Sequence, residues 1–162
     1  MDVLDRLIPQ RIDNDYCGHP LAFWMFFPIT LVTLVRSLIH MLRADGGAQS
    51  IATIPLDTFT SGGAQGIVAV FALWGLSQFL LGILYLGVLW RWRTLLPLMY
   101  LLLVVEYVGR FAIGTTKPIG ALETPPGAIA NFVFPALAVA MLILSLRQSA
   151  NSASAGSQPA GS

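Results

Sequence analysis

Four apolar runs, each near the length of a bilayer-crossing helix, leave this chain few folds to choose from: Leu21–Leu42, Gly66–Trp90, Leu95–Ile113 and Ile129–Leu146. About 20 apolar residues in helical form cross a hydrocarbon core of ~30 Å. A helix also satisfies its own backbone hydrogen bonds where no water can. Composition points the same way. Hydrophobic residues make up 56% of the 162 residues and charged ones 10%, against about a quarter charged in soluble domains, and mean hydropathy is +0.73. The sequence predicts an all-α integral membrane four-helix bundle over residues 21–146, with an N-terminal segment 1–20 and a tail 147–162. From Ser149 the tail holds only small, polar and proline residues, a composition that cannot bury a core. The N-terminal segment mixes acidic and basic residues and its apolar run begins only at Leu21, so it does not read as a cleavable signal and the first span is expected to stay.

Several function classes drop out at once. A net charge of +1 with no basic stripe excludes a nucleic-acid partner. One cysteine, Cys17, cannot form an internal disulfide. The run Gly62–Gly66 lacks the Lys-Ser/Thr of a phosphate loop and reads as a turn into a helix. Within the preceding loop, Ser50–Phe59 could form a short strand or an interfacial segment. Lys and Arg in short loops set orientation. Arg6 and Arg11, Arg91 and Arg93, and Arg147 fall on one side of a four-span chain, and only Arg43 and Lys117 on the other, which predicts both termini in the cytoplasm. Trp90 and Trp92 then anchor the cytoplasmic turn at the interface, with Phe23 and Trp24 at the entry to span one. His19 and His40 fall on opposite sides, so no metal site is expected, and no cofactor motif occurs.

The chemistry lies in charges placed inside the spans. Span one carries Arg36 and His40, and span three Glu106 and Arg110, each pair one helical turn apart. An intramembrane charge costs about 2.5–3.5 kcal/mol even on the lenient insertion scale. Arg36 lies six residues before Leu42 and Glu106 seven before Ile113, so at 1.5 Å per residue both sit roughly 10 Å inside the outer boundary. Thr33, Arg36, Ser37 and His40 form one polar flank, and Arg36 is expected to meet Glu106 in the bundle interior. The structural alternative pairs Glu106 with Arg110 within one helix and lets Arg36 snorkel outward. Pro135 frees the carbonyl of Asn131, and the outer loop Gly114–Gly127 brings Lys117 and Glu123 above the same region. The candidate ligand site is Arg36, His40, Glu106, Arg110 and Asn131, with no catalytic residue assigned. On span two, Ala72, Gly75, Gln78 and Gly82 form a small face read as helix packing, with Ala136 and Ala140 as a matching pair on span four.

Glu106, Gly109 and Arg110 near the outer end of span three, a following Gly/Pro loop and a long first outer loop resemble the small DoxX-like bacterial membrane proteins over Leu21–Leu146. The resemblance implies a four-helix bundle in a bacterial inner membrane. The group is associated with redox accessory roles, and no catalytic residue carries over from it. The expectation is a membrane protein with an outward-facing polar site. It would bind a hydrophobic small molecule, a membrane lipid or a quinone, or serve as an accessory subunit to a membrane protein partner or a homo-oligomer. The alternatives are an isomerase exchanging protons between a buried Glu and a His on an apolar substrate, and a proton-coupled carrier, which with four spans would have to oligomerise.

Overall fold

The computed structural model describes residues 3–118, 120–122 and 126–147, with side chains at 3–118, 120–122 and 133–147. Among these the regular elements are all helices, without a strand. Its helices are α1 (Val3–Leu7), α2 (Pro20–Leu42), α3 (Ser61–Trp90), α4 (Leu96–Thr116) and α5 (Pro126–Leu146). Three segments are long and apolar enough to cross a membrane: α2, α3, and Arg93–Thr116, which contains α4. In α5 the apolar stretch with described side chains, Val133–Leu146, is shorter.

Local chemistry sets the ends. Pro20 opens α2, its missing N–H no loss in a first turn, and His19 Nδ1 accepts from the Leu21 N–H at 3.2 Å. Thr60 caps α3 by accepting from the Gly63 N–H at 3.2 Å. The glycines Gly62, Gly63 and Gly66 therefore lie inside the first turns of α3 instead of forming a turn before it, and α3 begins five residues ahead of the expected Gly66. Of the two alternatives for Ser50–Phe59, a short strand or an interfacial segment, the strand is absent. Left-handed backbone at Gly46, Gly47 and Thr53 coils the segment into successive turns and a 3₁₀ turn at Leu56–Thr58.

α2 packs along α3, α4 along α5, and α2 also touches α5. The small face of α3 makes the first of these contacts close. A Cβ on Gly75 would lie 2.8 Å from His40 Cβ and 3.0 Å from the Ser37 carbonyl, and one on Gly82 2.6 Å from Leu34 Cδ2. The matching pair expected on α5 is wrong: Ala136 and Ala140 are exposed. The packed stripe runs instead through Ala138, Met141 and Ser145, which share a helix face turned away from that pair.

The core is concentrated where α3 turns into α4. Phe26 sits edge-on to Tyr85 and Tyr100, with centroids at 4.9 and 5.2 Å, and the Tyr100 hydroxyl donates to the Ala22 carbonyl at 2.6 Å. The N-terminal segment and the end of α5 gather at this same end. Thr94 exchanges hydrogen bonds with Asp13, the His19 N–H reaches the Leu144 carbonyl at 3.1 Å, and Arg6 Nη1 donates to the Leu146 carbonyl at 2.7 Å. At the opposite end the Leu122 N–H meets the Thr53 carbonyl, joining the two long loops. Large apolar side chains cover the outer faces of the helices. Leu73 on α3 and Val108 on α4, for example, are 65% and 59% exposed, which suits an apolar surrounding.

Candidate functional site

α3 and α4 leave each other soon after the turn that joins them, and between them opens a cleft of about 700 Å³ toward the loop end. Phe71, Trp74 and Gln78 face it from α3, and Glu106, Gly109 and Arg110 from α4. Trp74 and Gln78 follow Phe71 by three and seven residues, and Gly109 and Arg110 follow Glu106 by three and four, which places each set on one helix face.

A polar row crosses the floor of this cleft through three helices. Arg36 Nη2 on α2 donates to Gln78 Oε1 at 3.1 Å. Gln78 Nε2 donates to Glu106 Oε1 at 2.9 Å. The same oxygen accepts from Arg110 Nε at 3.0 Å and from Arg110 Nη2. The expected direct pairing of Arg36 with Glu106 is therefore replaced by a bridge. Glu106 forms its ion pair with Arg110, one turn along its own helix, and the amide of Gln78 fills the space between Arg36 and Glu106. An amide suits that position because it both accepts from a cation and donates to a carboxylate. Gln78, read from sequence as part of a packing face, is 8% exposed and holds the row together.

Trp74 is the second residue that the sequence reading missed. Arg36 and Arg110 lie over its ring, with Cζ at 5.6 and 4.8 Å from the centroid, and the His40 ring packs at 4.7 Å. A tryptophan face attracts cations through its quadrupole, more strongly where water is excluded. Two like charges thus share one neutral surface. The signal was present as the spacing of Phe71, Trp74 and Gln78, at i, i+3 and i+7 along α3.

His40 is 5% exposed and belongs to the roof of the site. Its Nδ1 lies 2.7 Å from the Gly46 carbonyl, so that nitrogen carries the proton. The roof is pinned by Asp45, whose carboxylate accepts from the Gly47 and Ser50 N–H groups at 3.0 and 2.7 Å and faces Arg43 at 3.6 Å. Burial pushes the Asp45 carboxyl up, but the hydrogen bonds from Ser50 and Gly47, with the Arg43 charge, outweigh it and hold the group at about 2. His40 and Glu106, the acid–base couple of the isomerase reading, are thus engaged by different partners. Two buried polar atoms near the row have no hydrogen-bond partner among the described residues, Arg36 Nε and the Tyr85 hydroxyl.

Asn131 lies within α5, but its side chain, like Glu123, falls outside the described residues. The described residues contain no His, Cys, Asp or Glu cluster able to hold a metal. Of the five candidate residues, Arg36, Glu106 and Arg110 meet in one network, and His40 joins it through Trp74. No protein-family model, curated relative or solved structure matches this chain.

Proposed function

We propose that the chain is a four-span protein of a bacterial inner membrane, with both termini cytoplasmic, that binds an amphipathic small molecule in the cleft between α3 and α4. The observation that carries this reading is the cleft's form: about 700 Å³ with apolar walls and a floor of Gln78, Glu106 and Arg110. Ligand sites are typically concave, mostly apolar and furnished with a few convergent polar groups, in volumes of about 300–1,000 Å³. Its apolar rim is continuous with the outer helix faces, so a ligand with a tail, such as a membrane lipid or a quinone, fits better than a small polar metabolite. The sequence resemblance to the DoxX-like group rests on architecture together with Glu106, Gly109 and Arg110, and these three residues line this cleft.

Gly109 supplies the test. A Cβ built there meets nothing within 4 Å, so the backbone accepts a side chain at this position and Gly109→Phe extends a ring into the cleft. Native mass spectrometry of detergent-purified protein should show a co-purifying amphiphile on the native chain and its loss from Gly109→Phe, at an unchanged melting temperature. Equal retention by both proteins would refute the assignment.

A further inference from the structure

Among the described residues, charge in the α3–α4 cleft is unbalanced. Among these the lining carries Glu106, Arg110 and Lys117, and Arg36 joins through Gln78. Three cations therefore face one carboxylate, and Arg110 engages that carboxylate with two of its own nitrogens. Arg36 is left with a neutral amide at Nη2 and a buried Nε that has no hydrogen-bond partner among the described residues. Uncompensated cations at this depth are costly, and the shared face of Trp74 offsets only part of that cost. Glu106 and Arg110 share one face of α4, and Lys117, the residue that follows its last turn, lines the same cleft. Lys117 follows Arg110 by seven residues, just past the helix end and roughly 10 Å further along its axis, and a lysine side chain can reach back over part of that distance. Beside them the rim at Val70, Val105 and Ile113 is 64%, 59% and 62% exposed, an apolar edge open to the side of the bundle.

Resting on the cleft as an amphiphile site, we infer that its occupant is anionic, with a phosphate or carboxylate group held between Arg110 and Lys117 and an acyl chain leaving past Val70 and Val105. A neutral head, such as a quinone ring, would leave the excess positive charge in place. A zwitterionic head would bring a cation of its own into a site that already has too many.

Lipids carrying a brominated acyl chain test this, because bromine quenches indole fluorescence on contact. The protein in dodecyl maltoside micelles is titrated with dibromostearate, with lysophosphatidic acid and with lysophosphatidylcholine bearing the same brominated chain. A Trp74→Phe protein gives the background from Trp24, Trp90 and Trp92. Saturable quenching of Trp74 is expected at a mole fraction at least tenfold lower for the anionic lipids than for the zwitterionic one. Whichever anionic lipid saturates first identifies the head as phosphate or carboxylate. Arg110→Gln should raise the half-saturation point about tenfold and the surface-exposed Lys117→Gln about threefold, the latter with no risk to the fold; a rise in either variant supports the assignment. Equal half-saturation for anionic and zwitterionic lipids, or no change in both variants, would overturn anion selection and leave the cleft standing. Absence of saturable Trp74 quenching with every lipid, together with a Gly109→Phe protein indistinguishable from native, would instead remove the cleft reading itself.

Discussion

At the scale of single residues, Gln78 settles how an arginine and a glutamate on different helices coexist in the bundle. It accepts from Arg36 and donates to Glu106 at once, which neither a cation nor a carboxylate could do in its place. Gln78→Leu keeps the volume and removes both hydrogen bonds. Buried polar groups left unpaired typically cost about 1–3 kcal/mol, while measured interhelical hydrogen bonds in membranes average nearer ~0.6, so a loss of about 1 kcal/mol is expected. Reversible unfolding in mixed micelles measures it; a Gln78→Leu protein as stable as native would show that the bridge contributes nothing. The residues at either end of the row were legible in sequence because an intramembrane charge is costly wherever it points. Gln78 and Trp74 were not. An amide among glycines and a tryptophan in an apolar run look alike whether they pack or bind, and only the rotation of α3 about its axis brings them onto the cleft.

At the scale of elements, α3 divides its glycines between two tasks. Gly75 and Gly82 sit where α2 passes, with no room for a side chain, whereas Gly62 and Gly66 face open space in the first turns. Gly75→Leu would drive its Cβ into His40 and the Ser37 carbonyl; backbone cannot yield as a side-chain tip can, so the two helices must separate. Overpacking of this kind typically costs about 1–3 kcal/mol. Gly66→Ala should do the reverse, adding roughly 0.5–1 kcal/mol by removing a flexible residue from a helix. Melting temperatures of the two proteins should move in opposite directions, and a Gly75→Leu protein that melts with the native one would mean that α2 and α3 are not in this contact. Small residues at helical spacing made the α3 face readable. The same logic failed on α5 because alanines are frequent on both of its faces, and only burial separates Ala138 from Ala136 and Ala140.

At the scale of the whole molecule, run length and hydropathy were enough to place α2, α3 and α4 to within five residues, since a helix long and apolar enough to cover a bilayer leaves a long apolar signature. The cleft was not readable, because it arises from the angle at which α3 and α4 part, and no local pattern encodes that angle. The structure does constrain the topology. Arg6 and Arg147 flank the contact of the N-terminal segment with the end of α5, and Asp13 is tied to Thr94 beside Arg91 and Arg93, so the arginine-bearing segments collect at one end. Arg43 and Lys117 lie beyond α2 and α4 at the other. Positive charge in short loops is retained on the cytoplasmic side, so the arginine-rich end should face the cytoplasm and the cleft should open toward the outer leaflet. Reporter fusions after Arg93 and after Lys117 test this directly, the first reading cytoplasm and the second the opposite compartment. Both reading the same side would mean that α4 does not cross the bilayer. The polar row would then lie in water or at a protein interface, and the penalty that singles out Arg36 and Glu106 would no longer apply.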